Sequence, residues 1–185
     1  MGKSVFICNP VKTSHDDWFT RKSAWSDISQ FLPSDKVIWE ACMKDSTSNS
    51  PIYLQELGFD VEWNTNEDIL LNRKRDDSII VTNLPFMLKK EIFQHLKEID
   101  QPFIILAPST CLHSKYFLET FKNENIQLII PSSKRQFDKY VDGKKIEGPD
   151  NCSFYTLYIC YKAGLEHDIN FIKKMILYFF YLDNI

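Results

Sequence analysis

Apolar residues along the chain fall into short runs separated by amphipathic stretches, and this alternation sets the expected architecture. The most continuous run is Ile79, Ile80 and Val81, which reads as a central strand covered on both faces because nothing polar interrupts it. The run ends at Asn83, and Leu84, Pro85 and Phe86 lead into a helix over 87–99 with Leu88, Ile92, Phe93 and Leu96 on one face. Further strands are predicted over 36–42, 59–63, 103–108, 126–130 and 153–161. A first helix carries Ala24, Trp25, Ile28, Phe31 and Leu32 at helical spacing, with Thr20 as its N-cap. Others are predicted over 51–57, closed by Gly58, and over 116–121. A last helix, over 165–185, shows two apolar stripes, one with Ile169 and Ile172 and one with Phe171 and Met175, as in a helix that is deeply buried or meets a partner. Helices alternating with strands predict an α/β fold: a single doubly wound, mostly parallel sheet with a late antiparallel strand. One domain spans 1–185, with residues 1–16 as an N-terminal arm.

The candidate chemistry lies where the central strand ends. Proline after Leu84 pushes that residue to an extended conformation and leaves its carbonyl free to accept from a ligand. Two acceptors, the Asn83 side-chain oxygen and the Leu84 carbonyl, can take the two hydrogens of an exocyclic amino group while the Phe86 ring stacks on the base. The bland reading of the same residues is a strand followed by a turn. The stretch T-N-L-P-F resembles the T-N-P-P-F catalytic motif of S-adenosylmethionine-dependent adenine amino-methyltransferases, especially the short phage and large-virus type. Asn83, Pro85 and Phe86 match, and Leu84 stands at the first proline.

The resemblance runs over residues 17–165 and implies a Rossmann-like methyltransferase sheet with S-adenosylmethionine as cofactor. It puts Thr20 at a segment that closes over the cofactor, with Arg21 in place of the family's proline. It aligns Trp39, Glu40, Ala41 and Cys42 with the family's W-E-P-C-x-G-D-G cofactor loop; Ala41 stands at the proline, and Lys44 and Ser46 stand at the two glycines. The ribose position falls on Asn64, or on Glu62 in another register, and Asp68 becomes the acceptor for the cofactor's adenine. Asp68 reads equally well as the cap of a short helical turn.

Composition narrows the partners. A net charge of -3 and a pI near 5.8 give no global attraction to nucleic acid, so such binding needs a local patch. The polar segment 134–152 offers one: Lys134, Arg135, Lys139, Lys144 and Lys145 interleave with Phe137 and Tyr140, cations for phosphate and rings for stacking on DNA or RNA. A β-hairpin at the sheet edge accounts for the same segment. The triplet Arg73, Lys74 and Arg75 reads as a solvated loop. Five cysteines without C-x-x-C spacing argue against a disulfide framework and a zinc knuckle, and no metal site is expected. Cys111 and His113 lie close in sequence, but a catalytic pair is assembled by the fold and not by adjacency. There is no signal-peptide core, and Lys173 and Lys174 break the last apolar run, so an intracellular reducing compartment without membrane contact is expected.

The leading expectation is therefore methyl transfer to an adenine amino group in nucleic acid. The replaced glycines support an alternative, a catalytically inactive methyltransferase fold that binds nucleic acid or protein, with the C-terminal helix as a surface for a protein partner or a second copy. A third reading is methylation of another planar amide, such as a glutamine side chain. Few glycines with many Ile, Lys and Asn point to an AT-rich, viral genome.

Overall fold

The computed structural model of the protein describes residues 18–42, 48–63, 69–141, 144–145 and 154–172. In chain order its elements are β1 (Trp18–Thr20), α1 (Lys22–Ser26), β2 (Val37–Glu40), α2 (Ser50–Glu56), β3 (Val61–Trp63), β4 (Ser78–Asn83), α3 (Lys89–Glu98), β5 (Phe103–Pro108), α4 (Lys115–Phe121), β6 (Ile126–Ile130), β7 (Phe137–Val141), β8 (Lys144–Lys145), β9 (Thr156–Tyr161) and β10 (Ile169–Phe171). Seven strands form one sheet in the order β3-β2-β4-β5-β9-β6-β10, and β1, β7 and β8 form a second, three-stranded sheet. Within the large sheet only β9 runs antiparallel to its neighbours, β5 and β6. This is the doubly wound, mostly parallel, Rossmann-like sheet that the alternation of elements predicts.

The period-2 geometry of a strand sends alternate residues to opposite cores. Ile79 and Val81 of β4, Ile104 and Leu106 of β5, and Tyr158 and Cys160 of β9 join one core with Trp25, Ile28 and Leu54 from the α1 and α2 side. Ile80, Phe103, Ile105, Ile159 and Tyr161 join the other with Ile92, Phe93 and Leu96 of α3 and Phe117 and Phe121 of α4. The second core is aromatic: Phe93 meets Phe117 edge-on at 5.2 Å and Phe103 at 5.7 Å. Each buried ring or branched chain contributes about 1.5–3 kcal/mol relative to an exposed one.

Several local expectations are corrected. Thr20 does not cap a helix but ends β1; Arg21 stands at the cap position, with extended backbone and no side-chain capping bond. The expected first helix is broken into α1 and a 3-10 turn over Ser29–Phe31, although Ala24, Trp25, Ile28 and Leu32 are buried as predicted. Gly58, with φ at 92°, ends α2 in the left-handed region that favours glycine. The predicted C-terminal helix is overturned at its start: Ile169–Phe171 is an edge strand parallel to β6, with Ile169 opposite Leu128. Asn170 points inward and donates to the Leu128 and His167 carbonyls, while Ile169 and Phe171 face out. A short apolar run fits either period, and hydrogen bonding to the open edge of β6 decides for the strand. The remainder of that predicted helix, 173–185, and the arm over 1–16 lie outside the described residues. Among the described residues no helix is long and apolar enough to cross a membrane.

One buried bond ties α1 to the sheet: the Tyr158 hydroxyl donates to the Ala24 carbonyl at 2.6 Å. Tyr158→Phe leaves that carbonyl without its partner, and urea unfolding is expected to show a loss of about 1–3 kcal/mol with an unchanged m-value.

Candidate functional site

In an open parallel sheet, a crevice forms at the carboxyl ends of neighbouring strands whose connections leave in opposite directions. Here those strands are β2 and β4, paired with Trp39 opposite Ile80; β2 is followed by β3 on one side, and β4 by β5 on the other. The crevice therefore brings together the ends of two predicted motifs, Glu40-Ala41-Cys42 and Asn83-Leu84-Pro85-Phe86.

Glu40 is buried at the end of β2. Thr82 Oγ1 donates to its Oε1, and the Cys42 backbone N–H donates to the same oxygen at 3.2 Å. Burial pushes the carboxyl up from 4.5 to about 7, against the pull of those two donors toward the ionised form. Glu40 is turned into the protein, where it couples the turn after β2 to the end of β4. Ala41 is buried beside it, and Cys42 is half-buried. This coupling through Thr82 could not be read from the sequence, which shows the two residues 42 positions apart.

Asn83 is the informative residue of β4. Its Oδ1 is buried and has no hydrogen-bond partner among the described residues. A buried acceptor left unmade costs about 1–3 kcal/mol, and such atoms call for an explanation. Leu84 buries its side chain in the α3 and α4 core. Pro85 opens a turn closed by the Leu88 N–H on the Pro85 carbonyl at 3.2 Å. Phe86 follows and meets Phe154 edge-on at 4.9 Å, with the rings 89° apart. Phe154 in turn contacts Phe137 at 5.8 Å and Trp18 at 6.3 Å. This aromatic chain joins the crevice to the small sheet, whose β1 pairs with β7 with Thr20 opposite Phe137. Phe154 and Trp18 carried no candidate role in the sequence; only the packing reveals them.

The predicted cationic patch is divided by the fold. β7 pairs antiparallel with β8, with Tyr140 opposite Lys145. Lys134 stands over the Tyr155 ring at 5.6 Å, and Lys139 over Trp18 at 5.5 Å, so these two accompany exposed or half-buried rings. Arg135 and Phe137 are corrections: both are buried, and Arg135 is ion-paired with Asp27, so neither is presented to a ligand. Alternation along the chain cannot show that a cation has a carboxylate waiting 108 residues earlier. For Tyr140, Lys144 and Lys145 only the backbone is described. Asn64 and Asp68, and the loop with Lys44 and Ser46, lie outside the described residues. Cys111 is buried, its thiol raised by burial, whereas His113 is exposed; the two do not form a pair.

No family model matches the chain, and no curated protein matches it. Among solved structures it is similar to a SAM-dependent O-methyltransferase from Thermotoga maritima, at 11% identity and a TM-score of 0.39, over 75% of this chain. The match spans 64% of that protein's length.

The burial of Glu40 makes stability depend on pH. A carboxyl raised from 4.5 to about 7 in the folded state binds a proton more tightly there than in the unfolded chain. Its contribution is therefore full below pH 4.5 and is lost as pH rises through about 7, a change on the order of 3 kcal/mol. Glu40→Gln is expected to remove that slope, seen by comparing denaturant unfolding of the two proteins at pH 5 and pH 8.

Proposed function

We propose that the chain is an S-adenosylmethionine-dependent methyltransferase that acts on the adenine amino group in nucleic acid. The observation that carries this reading is the buried Oδ1 of Asn83 at the carboxyl end of β4, without a partner among the described residues and followed by Leu84, Pro85 and Phe86, whose ring is fixed in orientation. An acceptor without a partner is matched by a ligand that brings an N–H. Asn83 Oδ1 and the Leu84 carbonyl accept the two hydrogens of the exocyclic amine and orient its nitrogen, and Phe86 offers a surface for the base. The cofactor supplies an electrophilic methyl group. Ala41 and Cys42 at the end of β2 border the place where it would be held, and Glu40 positions their backbone through its bond from the Cys42 N–H. Thr20, Asn64 and Asp68 remain the further cofactor contacts that the family resemblance implies.

A second reading, an inactive fold kept as a nucleic-acid- or protein-binding module, is favoured by Lys44 and Ser46 in place of glycines and by a Glu40 carboxylate used internally.

Calorimetric titration with S-adenosylmethionine, followed by transfer of labelled methyl groups to oligonucleotides with and without adenine, separates the two. Saturable binding and adenine-dependent transfer are expected. Asn83→Ala should keep cofactor binding and lower transfer by about 100-fold or more. It should also leave the melting temperature unchanged or higher, because it removes a buried acceptor that lacks a partner. No binding at millimolar cofactor leaves the inactive module as the surviving reading.

A further inference from the structure

A groove of about 610 Å³ lies at the outer edge of the large sheet, between β3 and the segment leading into β4. It is lined by Trp39, Val61, Glu62 and Trp63 from the strands and by Asn72, Arg73, Lys74 and Arg75 from the segment. Three cations face one carboxylate there, in a chain whose net charge is -3.

The basic segment is not a loose loop. The buried side chain of Gln101 accepts from the Arg75 N–H at 2.7 Å and donates to the Arg75 and Ser78 carbonyls at 3.2 and 3.0 Å. One turn earlier, His95 Nε2 bonds the Asn72 carbonyl at 3.1 Å. The segment is thus pinned at both ends, which presents its side chains at reduced entropic cost.

The four polar side chains of this segment differ in what they have left to offer. Arg75 is engaged: it pairs with Glu62 and lies 5.0 Å over the buried Trp39 ring. Lys74 is held loosely by Asp76 at 3.2 Å and Asp100 at 3.8 Å. Arg73 is exposed and has no ion pair among the described residues. Asn72 Nδ2 is buried and has no hydrogen-bond partner among the described residues. Trp63, on the edge strand, is 42% exposed. A ligand suited to this set is anionic, planar in part, and carries an acceptor for a buried amide donor.

We propose that this groove binds one nucleotide unit of single-stranded nucleic acid, its base on Trp63, its phosphate on Arg73 and Lys74, and a base or phosphate acceptor on Asn72 Nδ2. Cations that track the backbone together with an aromatic platform are the usual means of holding single strands without reading sequence, and the groove's volume suits one nucleotide. The assignment is independent of methyl transfer, because a strand without adenine satisfies it.

The test uses fluorescent oligothymidylate, which lacks the amino group that the crevice would take. Saturable binding is expected. Trp63→Ala and Arg73→Glu, both changes of exposed side chains, should each weaken it about tenfold or more, while Trp63→Phe should largely restore it. Arg73→Glu should also reduce the magnitude of the salt slope by about 0.7. The proposal is overturned if oligothymidylate does not bind, or if Lys134→Glu and Lys139→Glu weaken it while the groove variants do not.

Discussion

The central strands β4 and β5 are buried on both faces, with Ile79, Ile80, Val81, Ile104, Ile105 and Leu106 all withdrawn from water. Within such strands the backbone groups satisfy one another and side chains add only bulk, so polar chemistry is confined to the ends. The crevice at Glu40 and Asn83 is a consequence of that confinement. Glu40 sits one step past the apolar run of its strand and Asn83 follows Thr82 at the end of its own, and the polar oxygens of both are still close enough to the core to be desolvated.

Desolvation acts on the two residues in opposite ways. Glu40 finds two donors, Thr82 and the Cys42 N–H, and even so its carboxyl stays raised to about 7. It serves the local geometry by holding the ends of β2 and β4 together. Among the described residues Asn83 finds no partner for its oxygen and retains an unmade bond. A side chain that is fully satisfied has little left for a ligand, whereas one kept short of a partner has a reason to bind one. The resemblance between T-N-L-P-F and an amino-methyltransferase motif and this orphaned acceptor are separate observations that converge on the same residue.

The small sheet and the groove at the β3 edge dispose of their cations differently. The patch that begins at Lys134 loses Arg135 to Asp27 and Phe137 to the aromatic cluster, and keeps Lys134 and Lys139 beside rings. The triplet Arg73, Lys74 and Arg75, by contrast, is fastened by Gln101 and His95 against two tryptophans. Cations of similar appearance in sequence end in different roles because burial and pairing are set by distant segments.

The order of elements, the central buried strand, the cap at Gly58 and the polar residue at the strand end were legible in the chain alone, because strand and helix periods and turn chemistry act over a few residues. The same local reasoning misjudged Thr20 and the segment after residue 165. In both cases a partner strand, β7 or β6, supplied hydrogen bonds that no local pattern announces. Only the tertiary structure brought Thr82 to Glu40, Phe154 to Phe86 and Gln101 to Arg75, since these contacts depend on how the sheet orders its strands and not on spacing along the chain. What the sequence by itself determined is where polar chemistry could stand; which of those atoms is satisfied and which is left waiting was decided by the fold, because the cost of burial depends on every neighbour at once.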